Sequence, residues 1–141
     1  MASGVLTVRD LARRSQAAAG AKDRAGWLGL FADEAIVEDP IGPSPLSPDG
    51  RGHRGAAAIA TFYDTVIGRV DRIHFEIERS YLCGNEVADV GSIHITMPGG
   101  QTTEVQGVFT YRSDSSGKIA ALRAYWEFGG RPTTETTAPR G

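Results

Sequence analysis

One carboxylate, Asp39, closes the run Leu30-Phe31-Ala32-Asp33-Glu34-Ala35-Ile36-Val37-Glu38 and stands directly before Pro40-Ile41-Gly42. An acid fixed at the end of an extended element and walled by apolar side chains is a candidate general base, because desolvation raises its affinity for a proton. Phe31, Tyr63 and Trp126 are the aromatic residues that could supply such walls. An Asp before a turn also has a common local role, accepting a backbone hydrogen bond. Composition by itself favours the local role.

Other chemistry-bearing residues are sparse. His53 falls in a Gly-rich loop, while His74 and His94 fall on separate strand-like stretches, and no pair has the i, i+4 spacing of a helical zinc motif. No metal is expected, and His94 has at most a carboxylate partner across a sheet. The loop Ser47-Pro48-Asp49-Gly50-Arg51-Gly52 lacks the Lys-Ser or Lys-Thr of a nucleotide-binding loop, so no cofactor is expected. Cys83 is the single cysteine and excludes an intramolecular disulfide.

The elements that must position Asp39 can be read from spacing. Residues 8–31 have helical character interrupted by Gly20 and Gly26, which predicts two helices, with Thr7 or Asp10 capping the first and Asp23 the second. Trp27, Leu28, Leu30 and Phe31 form the buried stripe of the second. Residues 35–38 predict a strand ending at Asp39, since Pro40 biases the residue before it toward extended backbone. The breakers between 41 and 55 predict a loop beside Asp39. A third helix is predicted over 56–67, then strands over 72–83, 86–97, 102–112 and 118–128, the last three separated by tight turns. Along the last strand Leu122, Ala124, Trp126 and Phe128 share one face, while Arg123, Tyr125 and Glu127 share the other. The fold class is α+β, with a curved, largely antiparallel sheet wrapped around amino-terminal helices. That arrangement makes a cone whose mouth can take a small apolar ligand.

Length and charge limit the alternatives. The 141 residues are enough for one domain, placed at 1–132, with a Thr- and Pro-rich tail over 133–141. Fifteen Lys plus Arg against seventeen Asp plus Glu give a net charge of -2 without a basic stripe, which argues against nucleic acid as a partner. No run of about 18 apolar residues suggests a membrane span, and the amino terminus lacks a secretion pattern, so a cytoplasmic location is expected.

The segment from Leu30 to Gly42, together with Ile59-Ala60-Thr61-Phe62-Tyr63, Gly117-Lys118-Ile119 and Leu122-Arg123-Ala124-Tyr125-Trp126, resembles the ketosteroid isomerases. These belong to the cone-shaped nuclear transport factor 2-like, or SnoaL-like, superfamily, which also contains scytalone dehydratase, limonene epoxide hydrolase and polyketide cyclases. The likeness covers roughly residues 8–130. It is closer still to an actinobacterial ketosteroid isomerase-like group with a Ser-Pro-Asp-Gly insertion like residues 47–50. The resemblance implies a homodimer paired through the outer sheet face and a pocket for a steroid-like ligand. It places the base on Asp39, a supporting tyrosine on Tyr63, the pocket indole on Trp126 and an aliphatic wall on Leu122. The family's two oxyanion donors fall on Ser15 and on Gly107, the latter just ahead of Phe109 in the pocket wall. Neither Ser15, nor its neighbour Gln16, nor Gly107 carries the family's phenol or carboxylic acid.

Loss of one such donor costs about 3–4 kcal/mol of transition-state stabilisation, so weak or altered turnover is expected. Asp89 shares strand parity with Val87, Gly91 and Ile93 and is a candidate replacement donor as a neutral acid in the cavity; a one-residue shift in register would instead put it in solvent. Three readings follow. The first is proton transfer on a flat apolar ketone, with Asp39 as base and Asp89, Ser15 or water at the carbonyl. The second is a non-catalytic pocket whose Phe31, Tyr63, Leu122 and Trp126 hold a polycyclic ligand. The third is epoxide hydrolase or cyclase chemistry, for which Asp39, Asp89 and Arg123 are the available set.

Overall fold

The computed structural model describes residues 6–127. Phe128 and the tail expected over 133–141 lie outside the described residues. Thr7 caps α1 (Val8–Gly20), accepting from Asp10 N while the Asp10 side chain accepts from Thr7 N, so two otherwise orphaned donors are satisfied at once. Asp23 caps α2 (Arg24–Leu28) by accepting from Gly26 N. The strands are β1 (Phe31–Glu38), β2 (His53–Arg54), β3 (Arg72–Cys83), β4 (Glu86–Thr96), β5 (Thr102–Ser113) and β6 (Ile119–Tyr125), with α3 (Ala56–Phe62) between β2 and β3.

The six strands form one sheet in the order β2-β1-β6-β5-β4-β3. Only β1 and β6 pair in parallel; the other neighbours are antiparallel. The sheet is mixed and curved but not a closed barrel, because β2 and β3 remain as its edges. Part of the curvature comes from a bulge between Ile77 and Arg79, opposite Gly91. A Cβ at Gly91 would lie 2.1 Å from Glu76 O, so the two backbones approach there in a way only glycine permits.

Several boundaries differ from those the spacing predicts: the last strand, expected over 118–128, runs from Ile119 to Tyr125, and His53–Arg54, within the expected 41–55 loop, pair with β1 as β2. Leu30 and Phe31, expected on the second helix, belong to the turn after α2 and to β1. The five-residue helix ends at Gly29; Leu30 O then accepts from Ile119 N, and Phe31 pairs with Ile119, so sheet pairing overrides the short helical pattern. The third helix is regular only to Phe62. Tyr63–Ile67 widens into a π turn closed by Gly68 N donating to Tyr63 O at 2.7 Å.

The core centres on Trp27, which is 1% exposed. Its ring lies 4.5 Å from Phe31, 5.6 Å from Tyr63 and 6.2 Å from Phe62, centroid to centroid. Its Nε1 donates to Ser15 Oγ at 3.1 Å, which satisfies the one polar group such a buried indole carries. Among the described residues no helix is long and apolar enough to cross a membrane.

Candidate functional site

Helices and concave sheet enclose a cavity of about 590 Å³, within the usual range for small-molecule sites. Its walls are mostly apolar, including Phe62, Ile93, Phe109, Leu122 and Trp126. The exposed lining residues Thr103, Glu104, Gln106 and Glu127 mark the mouth, and buried Ser15 and Tyr111 mark the floor.

Asp39 lines this cavity just beyond the end of β1. The sequence puts it there in two steps: β1 pairs with β6 through Glu38 and Arg123, then the cis Asp39–Pro40 peptide turns the chain and Ile41 N donates to Ala124 O at 3.0 Å. The carboxylate thus meets the end of β6, where Trp126 Nε1 donates to Asp39 Oδ1 at 2.6 Å. Burial pushes the Asp39 carboxyl above its ordinary value, and the indole bond opposes that by favouring the ionised form. The group is therefore a base whose proton affinity is raised by its surroundings while one oxygen is held in place.

The consequence for pH is signed. Asp39 must be ionised to accept a proton, so any reaction that uses it falls away as pH drops through a midpoint above the ordinary Asp value of about 3.9. Folding carries the opposite sign, since the raised folded value makes the contribution of this group to stability largest in acid and smaller as pH rises through that value. Trp126→Phe removes the bond that favours the carboxylate and is expected to raise the Asp39 midpoint further. Carboxyl NMR titration of both proteins reads this directly; an equal or lower midpoint in the variant would contradict it.

The floor is polar and tightly connected. Asp89 on β4 is fully buried, and its Oδ2 accepts from Arg13 Nη1 at 2.7 Å and from Gln16 Nε2 at 2.8 Å, both on α1. The second Gln16 N–H reaches Tyr111 Oη at 3.4 Å. Tyr111 is 2% exposed and lines the cavity from β5; its phenol is held neutral far above the ordinary tyrosine range, first by burial and further by the charges of Asp89 and Asp39. Bonds from Gln16 and Ser15 offset part of that rise.

The place where a second oxyanion donor would be sought is closed. Gly107 shares strand parity with Val105, Phe109 and Tyr111, but a Cβ there would lie 2.2 Å from Tyr125 O and 3.0 Å from Trp126 Cβ. The end of β6 occupies the room that a longer side chain would need.

A profile of the SnoaL-like domain matches residues 12–122. The chain belongs to the SnoaL-like family. Among solved structures it is similar to the Delta 5-3-ketosteroid isomerase from Mycobacterium sp., at 43% identity over 85% of this chain and 92% of that one, with a TM-score of 0.81. It is also similar to RV0760c from Mycobacterium tuberculosis, solved in complex with estradiol-17beta-hemisuccinate, at 39% identity over 84% and 92% of the two chains, TM-score 0.79. A computationally designed 17-OHP binder matches at 38% identity over 84% and 91%, TM-score 0.80.

Against the expectations for site residues, this SnoaL-like chain brings together Asp39, Ser15, Phe109, Leu122 and Trp126 around one cavity. Phe31 and Tyr63 are buried but pack against Trp27 behind the wall, so Trp126 is the aromatic residue in contact with Asp39. The reason for Phe31 is positional: it opens β1, at the opposite end of the strand from Asp39. Asp89 faces inward, as its parity predicts, rather than solvent. It does not line the cavity, however, and its bonded oxygen accepts from Arg13 and Gln16, which is the geometry of a paired carboxylate rather than of a neutral donor.

Arg123 projects from the outer face of β6, where its Nε donates to Glu38 Oε1 at 2.6 Å. The trio Asp39, Asp89 and Arg123 is thus spread over the cavity, the layer behind it and the opposite sheet face. His94 meets Glu76 of the neighbouring strand at 2.9 Å on an exposed surface. His53 packs its ring 4.8 Å from Phe62; burial lowers its pKa while a bond to the Leu46 backbone opposes that, tying the 41–52 loop to α3. Among the described residues no cluster of His, Cys, Asp and Glu could hold a metal ion.

Tyr111, Arg13 and the bonding of Gln16 are site features that residue spacing does not single out. The signal for Tyr111 was available, since it continues the inward series Val105, Gly107, Phe109 and is the one member of it with a hydroxyl.

Proposed function

We propose that this chain binds a flat polycyclic ketone of the 3-oxo steroid class and moves a proton across it, with Asp39 as the base. The observation that carries this is the Asp39 carboxylate, its proton affinity raised by burial, fixed by Trp126 in the wall of an apolar cavity of about 590 Å³. The similarity to a ketosteroid isomerase and to a protein solved with a steroid ester supports the ligand class.

The chemistry needs no redox partner. Asp39 takes a proton from the carbon between the carbonyl and the isolated double bond, the C–H electron pair delocalises toward the carbonyl oxygen, and a dienolate forms. Asp39 then returns the same proton to the far end of the conjugated system. The double bond moves into conjugation and no atom is gained or lost. Apolar walls keep water from competing for the proton and strengthen the electrostatic contacts within.

A non-catalytic binding pocket is the second reading, favoured by the closed position at Gly107, where a second donor to the carbonyl has no room. Binding is common to both, because burying ring surface against Phe62, Phe109, Leu122 and Trp126 contributes kcal-scale free energy without any oxyanion donor. The expected result is micromolar-range affinity for a 3-oxo-Δ4 steroid by calorimetry, with slow formation of the conjugated-enone absorbance from 5-androstene-3,17-dione. Absence of any steroid affinity would sink both readings; affinity with no enone formation would leave the binding pocket.

A further inference from the structure

The floor of the cavity holds a donor that no expectation about the site included. We propose that the Tyr111 hydroxyl donates the hydrogen bond that holds the carbonyl oxygen of a bound ketone, with Arg13, Asp89 and Gln16 acting as positioning residues behind it. This rests on the reading of the cavity as a ketone site and adds the group that polarises the carbonyl.

Gln16 spends one N–H on Asp89 Oδ2 and points the other at Tyr111 Oη, so Tyr111 is an acceptor toward α1. Gln16 turns its Nε2, not its Oε1, to the phenol, while Oε1 accepts from Arg13 Nη1 at 3.4 Å. Among the described residues the other hydrogen-bonding neighbour of the phenol is the Ser15 hydroxyl, whose oxygen already accepts from Trp27 Nε1. Two hydroxyls that bond each other use one hydrogen and leave one over. In either arrangement the Ser15–Tyr111 pair has a surplus O–H, and both side chains line the cavity.

Tyr111 is the better placed of the two. Both N–H groups of Gln16 point toward acceptors, so the amide dipole is fixed by Asp89 and Arg13, and the phenol receives a bond that polarises its own O–H outward. Tyr111 and Asp39 also line the same cavity, and the Asp39 charge is among the influences that keep the Tyr111 phenol neutral. A base in the wall and a neutral donor on the floor are the two contacts that enolisation of a ketone requires. The buried Asp89 carboxylate thereby acquires a use at the site without touching the ligand.

The probe is equilenin, a planar phenolic steroid whose absorbance and fluorescence distinguish its neutral and ionised forms, used beside 5-androstene-3,17-dione as substrate. Tyr111→Phe is expected to lower kcat by roughly a hundredfold with a much smaller change in KM, and to shift ionisation of bound equilenin to higher pH by about one unit, a tenfold loss in preference for the oxyanion. Gln16→Met, which keeps the side-chain volume, should move both readouts in the same direction by less. A wild-type chain that binds neither steroid overturns the ketone reading and this assignment together. A wild type that binds while Tyr111→Phe leaves kcat and the equilenin spectrum within twofold overturns this assignment alone. Should Tyr111→Phe not fold, the wild type decides through a ligand pair: at least tenfold weaker binding of a 3-deoxy steroid than of its 3-oxo counterpart supports the donor, and equal affinity refutes it.

Discussion

Asp39→Asn is expected to reduce isomerisation of 5-androstene-3,17-dione by roughly a hundred- to ten-thousandfold while steroid affinity stays within a few fold. The substitution keeps the size of the side chain and the acceptor oxygen that Trp126 Nε1 reaches, so wall and pocket shape are conserved. What it removes is the group that takes the proton. An amide oxygen is too weak a base to accept a proton from carbon, and among the described residues no other carboxylate is held in the buried wall of the cavity: Asp89 lies behind it, and Glu104 and Glu127 line the exposed mouth. Affinity should survive or improve slightly, because ionised Asp39 is costly beside an apolar ligand and neutral Asn is not. The measurement pairs enone absorbance with calorimetric binding for both proteins. Equal turnover in the variant would remove Asp39 from the mechanism; parallel loss of binding would show that the residue shapes the pocket instead.

The same contrast explains what could be read before folding. Asp39, Trp126 and Leu122 were legible because each sits at a marked place in a local pattern: before Pro40-Ile41-Gly42, or in the alternation that runs along β6 and just past its end. The strand boundaries were legible for a related reason, since turns such as Pro98-Gly99-Gly100 and Ser115-Ser116-Gly117 interrupt clear alternation. Leu30 and Phe31 were not, because their helical spacing from Trp27 competes with parallel pairing to Ile119, a partner 88 residues away from Phe31 by sequence number. Asp89 shows the limit most plainly. Parity told that it points inward, but what it meets there depends on where α1 crosses the sheet, and no local pattern encodes that Arg13 and Gln16 arrive at β4. Gly107 is similar: the missing side chain was visible in the sequence, but the approach of Tyr125 O that leaves no room for one was not.

That buried ion pair sets the second large effect, a loss of about 3 kcal/mol of folding stability in Arg13→Ala. Asp89 has a side chain with no exposure, and among the described residues its Oδ1 has no hydrogen-bond partner. Its desolvation is therefore offset mainly by Arg13 and Gln16. Removing one member of a buried pair costs about 3–5 kcal/mol because the other charge is left uncompensated. The lower end applies, since the Arg13 side chain is 42% exposed and water already screens part of the attraction. Asp89→Asn should cost less, about 1–2 kcal/mol, because the freed guanidinium can hydrate whereas a stranded carboxylate cannot. The asymmetry is the test, and chemical denaturation of both variants at neutral pH reads it. The double variant Arg13→Met with Asp89→Leu should recover most of the loss, since apolar replacement of both partners removes the desolvation cost along with the attraction. If Arg13→Ala unfolds within about 0.5 kcal/mol of the wild type, the pair is not what offsets the burial of Asp89. The double variant also separates stability from function: it restores packing but leaves the Gln16 amide without its anchor. A chain that is stable yet slow would therefore tie the buried charge to the orientation of Tyr111 rather than to the fold.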